Sequence, residues 1–325
     1  MSATRSRVIT ITTILLVIAG LAGGLTAVLH AARGGGTDNA THRPGRGAQP
    51  EDLAQEVADY TSRFGPSHGY RQPGRADRTA IAQAIGLLVD GHRAQAELLL
   101  SERDFTVRTI RDRVSGHRYA EVADRTDDAV TPRGWGRVYM DLDHTPRFSI
   151  QVPHPVFDEG TEQLGVRVLR DSPGGILVIA GAHRKAGVGN SADVAHRQDT
   201  VFYAICAELV RRKMPGIQLH GFAASTAPGY DVVASSGAGS AGRSDAGRLA
   251  DALGTHGFHV CRAWVRKCPV EGYTNAEGRA ADAADVPFLH IELAPEVRLG
   301  GSAAERAATA MSEITHRWAT APVTT

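Results

Sequence analysis

The chain has 325 residues, of which 42% are hydrophobic, and a formal net charge of +1. That balance fits a globular protein with a sizeable core and lacks the basic excess of a nucleic-acid binder, so no nucleic acid is expected as a partner. The 14 histidines matter by position more than by number.

Arg5 and Arg7 precede an apolar run over residues 8–29 that carries no charge. A run of this length spans a bilayer as a helix. Residues 1–32 therefore read as a transmembrane anchor or a signal peptide, with Leu29-His30-Ala31 a poor cleavage site. The positive charge ahead of the run keeps the N-terminus inside and sends the rest out, so an extracytoplasmic protein, membrane-anchored or secreted, is expected. Residues 33–50 are rich in Gly and Pro without apolar periodicity, the composition of a flexible linker.

Residues 51–143 read as a helical and β-hairpin region. One helix begins near Glu51, with Leu53, Val57 and Tyr60 on one face, and a second runs over about 78–100. Short strands follow at FTVRTI, RYAEV, GRVYMDL and FSIQV.

Over residues 144–325 strands and helices alternate. GILVIAGAH, GIQLHGF, GFHVCRAWV and PFLHIEL read as strands; 161–170, 200–212, 245–253 and 303–318 read as helices. This alternation predicts a mostly parallel mixed sheet covered on both faces, an α/β/α domain of three layers. In an exported protein, Cys261 and Cys268 are close enough to staple a loop, while Cys206 lies in an apolar helical stretch as a buried thiol.

Ligands in open α/β sheets bind beyond the carboxyl ends of the strands. Four apolar runs end in ionisable residues there: His154, His183, His220 and Glu292. His154 is followed by Asp158, Glu159 and Glu162. A strand-end imidazole, a carboxylate on the next loop and an imidazole from another strand make a three-ligand metal set with a position left for water. Such a site lowers the pKa of water and polarises a carbonyl, and a nearby carboxylate such as Glu292 serves as general base and acid. Each residue also has a plain structural use: the acids complement a helix N-terminus capped by Thr161, and Glu292 pairs with Arg298.

These residues carry a family resemblance. His154-Pro-Val-Phe-Asp158-Glu-Gly160-Thr161 resembles the histidine, glycine-rich loop and Glu-Pro-Gly-Thr signature of poly-γ-glutamate hydrolases. IQLHGF (217–222) resembles the strand with that family's third zinc ligand, and FLHIELAPEVR (288–298) its closing strand with the catalytic glutamate. CPVEGYTNAEG (268–278) is similar to N-formylglutamate amidohydrolases. The resemblance, over residues 148–298, implies a zinc-carboxypeptidase-like fold, zinc held by His154, Asp158 and His220, and Glu292 as general base. The family's acid is a glutamate one residue further along, so Glu159 and Glu162 remain alternatives to Asp158. Pro155-Val156-Phe157 replaces the glycine-rich loop.

In AHRKAGVGNSADVAHRQDTVF (182–202), Arg184 and Arg197 suit a substrate carboxylate, with His183 and His196 lining the same pocket or supplying the metal; Arg298 is a third candidate clamp. The alternative for this segment is a polar loop whose Asp193 caps a helix. The glycine-rich stretch 235–247 reads as a mobile loop beside the site. The expected function is zinc-dependent hydrolysis of an amide in a small peptide, γ-glutamyl or N-acyl amino acid substrate. A non-catalytic extracytoplasmic binding module on the same fold is the alternative, and metal content separates the two. A serine esterase is disfavoured, because Ser236 and Ser240 sit in no Gly-x-Ser-x-Gly turn.

Overall fold

The computed structural model describes residues 50–67 and 69–322, so the expected anchor or signal segment and, but for Pro50, the expected linker lie outside the described residues. Among the described residues, no helix is long and apolar enough to cross a membrane.

The described residues open with β1 (Pro50–Glu51) and α1 (Leu53–Thr61), whose buried Leu53, Val57 and Tyr60 recur at helical spacing. Asp52 caps α1 by accepting from Ala54 N–H. The single helix expected over 78–100 is two, α2 (Arg75–Val89) and α3 (Arg93–Ser101). Gly91, at φ +79°, takes the left-handed conformation that turns the chain between them. Then come β2 (Phe105–Asp112), β3 (Arg118–Asp124), β4 (Arg137–Asp141), β5 (Phe148–Val152), α4 (Thr161–Arg170), β6 (Gly175–Ile179), α5 (Val201–Arg211) and β7 (Gly216–Gly221). The chain closes with β8 (Val232–Ser235), α6 (Arg243–Thr255), β9 (Val260–Arg262), α7 (Ala276–Ala283), β10 (Phe288–Leu293), α8 (Pro295–Arg298) and α9 (Gly301–Thr320).

One mixed sheet takes the order β1-β2-β3-β4-β6-β5-β7-β10-β8-β9. Its centre, β6-β5-β7-β10, is parallel, while β2, β3 and β4 meander antiparallel and join it through β4 and β6. The strands of the 51–143 region thus extend the same sheet as the following α/β segment. Helices α1, α4, α6 and α9 pack together over one face and α2, α3, α5 and α7 over the other, giving the three layers expected. Both sides of the central strands are covered: on one face of β5, β7 and β10 lie the buried polar residues Ser149, Gln151, Gln218, His220, His290 and Glu292, and on the other, together with β6, Ile150, Leu177, Ile217, Leu219 and Ile291 have no exposed surface. Each contributes about 1.5–3 kcal/mol of burial.

From β5 the chain crosses by α4 to β6 on one side, then by α5 back past β5 to β7 on the other. The two connections leave the carboxyl ends of the neighbouring strands β5 and β6 for opposite faces, which opens a crevice at that end of the sheet without any residue being removed.

Candidate metal centre

His154 follows β5, and His220 lies near the end of β7, so the two imidazoles come from the same end of two paired parallel strands. Asp158 returns to them on the turn after β5. Its Oδ2 stands 3.2 Å from His154 Nδ1 and 3.4 Å from His220 Nδ1. His154, Asp158 and His220 are all buried, and one ligand atom from each lies within 4.8 Å of the others. The tight turn between them is strained: Val156, a β-branched residue, sits at φ +68°.

The other imidazole nitrogens are already engaged. His154 Nε2 lies 2.9 Å from Asp193 Oδ1, and His220 Nε2 lies 2.7 Å from Gln218 Oε1. An acceptor on Nε2 places the ring hydrogen there and turns the Nδ1 lone pair inward. Two such lone pairs facing one carboxylate oxygen form a donor set suited to zinc, in which imidazole and carboxylate ligands leave a position for water.

The electrostatics agree. Burial works against a charge on His154, but the carboxylates of Asp158 and Asp193 outweigh it and raise its pKa. Burial opposes the charge on Asp158 too, and the two imidazoles reverse that and hold its carboxyl well below the usual range. His220 is pushed down to about 4 by burial and by neighbouring His290, so it stays neutral. The three side chains together therefore favour one positive charge among them, a charge that a divalent cation could supply in place of a proton. Of the alternative acids, Glu159 points to solvent. Glu162 is buried in the first turn of α4, where burial raises its pKa against hydrogen bonds from the backbone of Glu162, Val156 and Gly160.

Glu292 stands beside the centre because β10 pairs with β7 in a register that sets it opposite His220. Its carboxylate is 3.2 Å from His290 Nε2. No ion pair joins it to Arg298, whose guanidinium instead donates to the carbonyls of Leu293 and Glu159 while packed on Gly221. Arg298 thus ties the ligand-bearing turn to the end of the sheet, which takes it away from the carboxylate-binding use expected of it.

The remaining expected residues divide. Arg184 is at the centre, with Nη2 2.7 Å from Asp193 Oδ2 and Nη1 3.4 Å from His154 Nδ1. His183 borders it, its ring 5.3 Å from that of Phe157, and burial with Lys185 and Arg184 lowers its pKa. His196 lies at the rim, exposed on one side, and partial desolvation with the Arg184 charge lowers its pKa. Arg197 instead forms a 2.6 Å ion pair with Asp199 and is not brought to the ligands. The Asp193 side chain makes no capping hydrogen bond to the 3₁₀ turn Val194–His196; it serves His154 and Arg184.

The glycine-rich stretch 235–247 is not beside the centre. Because β8 runs antiparallel to β10, the chain leaves it at the end of the sheet away from Glu292, and Gly237 and Gly242 pack on Phe288 at the start of β10. The expected disulfide Cys261–Cys268 is formed, and Cys206 is a buried free thiol.

Sequence reasoning missed a buried polar tier beneath the ligands. Gln218 donates to Gln151 Oε1 at 3.0 Å and to Glu277 Oε2 at 3.3 Å, and accepts from Asn275 as well as His220. The available signal was period two: Gln218 and His220, like His290 and Glu292, alternate with apolar residues and so share one sheet face.

No family model and no curated protein matches the chain. Among solved structures, it is similar to an N-formylglutamate amidohydrolase from Ralstonia eutropha JMP134, at 14% identity, covering 57% of this chain and 97% of that one, with a TM-score of 0.40. A succinylglutamate desuccinylase from Chromobacterium violaceum matches at 13% identity, over 67% of this chain and 72% of that one, with a TM-score of 0.40. A metallo-carboxypeptidase from Burkholderia cenocepacia matches at 12% identity, over 70% and 68%, with a TM-score of 0.35. At these values the likeness carries no functional weight.

Proposed function

We propose that this protein is a zinc-dependent amide hydrolase of carboxypeptidase-like type. The observation that carries the reading is the aim of two imidazole Nδ1 atoms at one oxygen of Asp158, with both Nε2 atoms anchored on other acceptors. His154, Asp158 and His220 would hold the ion. Zinc bound there supplies a Lewis acid that polarises a carbonyl and acidifies water.

The chain's own groups account for the proton. Glu292 takes a proton from the attacking water and returns it to the nitrogen of the departing amine, so no net charge is left on the enzyme. Arg184, held by Asp193 at the edge of the centre, is placed to pair with a carboxylate of the substrate or with negative charge on the carbonyl oxygen. His183 and His196 border the same approach. These features favour a small peptide, γ-glutamyl or N-acyl amino acid substrate. The apolar run at 8–29 and the Cys261–Cys268 disulfide support action outside the cytoplasm, by an anchored or secreted protein.

The test is metal stoichiometry with hydrolysis on the full chain, assayed with N-acyl amino acids and γ-glutamyl peptides. The proposal expects about one zinc per chain, and loss of both zinc and hydrolysis in His154→Ala and His220→Ala. Zinc-free wild-type protein, or hydrolysis that survives both substitutions, overturns it.

A further inference from the structure

We infer that His290 is a positioning residue for Glu292, donating a hydrogen bond from Nε2 that fixes which carboxylate oxygen faces the reaction. The inference rests on the hydrolase reading.

His290 and Glu292 alternate on β10 and so share a face of the sheet, where His290 is buried and its Nε2 stands 3.2 Å from Glu292 Oε1. The ring is closely packed. It lies against His220 with centroids 4.4 Å apart, and the backbone at Gly272 comes so close that a Cβ there would meet the ring Cγ at 2.5 Å. Gly272 has φ +73°, so the approach uses a backbone conformation that glycine adopts at low cost.

The partners fix the hydrogen. Among the described residues, His290 Nδ1 is buried with no hydrogen-bond partner. With the hydrogen on Nε2, the imidazole donates to the carboxylate and leaves Nδ1 as a bare acceptor. With the hydrogen on Nδ1, a buried N–H would go unpaired and two acceptors, Nε2 and Oε1, would face each other. The first arrangement is the better one. It commits Oε1 to His290 and leaves Oε2 to exchange the proton with water and amine. The fold thus retains an unpartnered buried nitrogen in order to hold a reacting carboxylate still.

Two substitutions separate donation from ring packing. His290→Phe keeps an aromatic ring between His220 and Gly272 but cannot donate; His290→Gln keeps an N–H donor of similar reach without the ring. In the zinc-loaded full chain, His290→Phe is expected to lower kcat at least about 30-fold, with KM within about threefold and zinc content intact, and His290→Gln to recover to within about fivefold of wild type. A His290→Phe enzyme as active as wild type, or a His290→Gln enzyme no better than it, overturns the inference. A readout without turnover is the ¹⁵N shift of the imidazole in histidine-labelled protein, assigned by its loss in His290→Gln. A hydrogen on Nε2 is expected, and one on Nδ1 overturns the inference. Zinc stoichiometry on the same samples reports separately on the hydrolase reading.

Discussion

Replacing Asp193 by Ala removes the acceptor that stands 2.9 Å from His154 Nε2 and the anion that pairs with Arg184 at 2.7 Å. Three consequences follow, all unfavourable to metal binding. His154 loses the contact that fixes its ring and turns Nδ1 inward. The ligand set loses a nearby negative charge; burial opposes ionisation of Asp193, but His154 and Arg184 hold its pKa down at about 2, so that charge persists at any working pH. Arg184 is left unpaired beside an incoming cation. Losing one such outer contact costs about 10–100-fold in metal affinity, or about 1.4–2.7 kcal/mol. Because three effects act together, Asp193→Ala belongs near the upper end, about 100-fold. Asp193→Asn keeps an acceptor for Nε2 and loses only the charge, and belongs near 10-fold. Competitive titration of zinc against a chromophoric chelator measures both, with the melting temperature of the metal-free protein as a control for folding. Zinc affinity in Asp193→Ala within about threefold of wild type, in a protein that melts normally, refutes the reasoning.

Three further outcomes are expected. Glu277, pushed up to about 8 by burial against the opposing effect of its hydrogen bonds, holds its proton in the folded protein between pH 4.5 and 8, whereas the unfolded chain releases it. Stability from this group is therefore full below about pH 4.5 and lost as pH rises towards 8, so Glu277→Gln should stabilise the protein by on the order of 3 kcal/mol at pH 7 and little at pH 4.5; equal melting shifts at both pH values would contradict this. Zinc must displace the proton that Asp158 and Asp193 favour on His154, so affinity should weaken as pH falls through the raised pKa of that histidine, with proton uptake by buffer visible in calorimetry; affinity flat between pH 8 and pH 6 would count against the ligand assignment. Reducing Cys261–Cys268, a bridge across a sequence separation of 7, should cost about 2 kcal/mol and lower the melting temperature; an unchanged melt would show that the loop is held by packing alone.

The sequence made the central strands legible because β6 is apolar throughout and β5, β7 and β10 place apolar residues at every second position. The cluster of His154, Asp158 and His220 was legible for a related reason: an ionisable residue at the end of such a strand stands out against its apolar neighbours. Strand β8 escaped, being four residues long after a polar turn, and its antiparallel direction is what carries the glycine-rich stretch away from the centre. Helix α7 escaped because it buries Ala276, Glu277, Gly278 and Ala281 in place of a stripe of large apolar residues. Asp193 and Arg298 were misread for a common reason. What each serves lies far off in sequence, at His154 and at Glu159, and spacing along the chain carries no sign of it.

The most direct test of the metal centre is anomalous diffraction at the zinc edge from crystals of the zinc-loaded protein. One peak is predicted, about 2.0–2.2 Å from His154 Nδ1, His220 Nδ1 and an Asp158 carboxylate oxygen. A peak that omits either imidazole, or no peak at the ends of β5 and β7, would contradict the account.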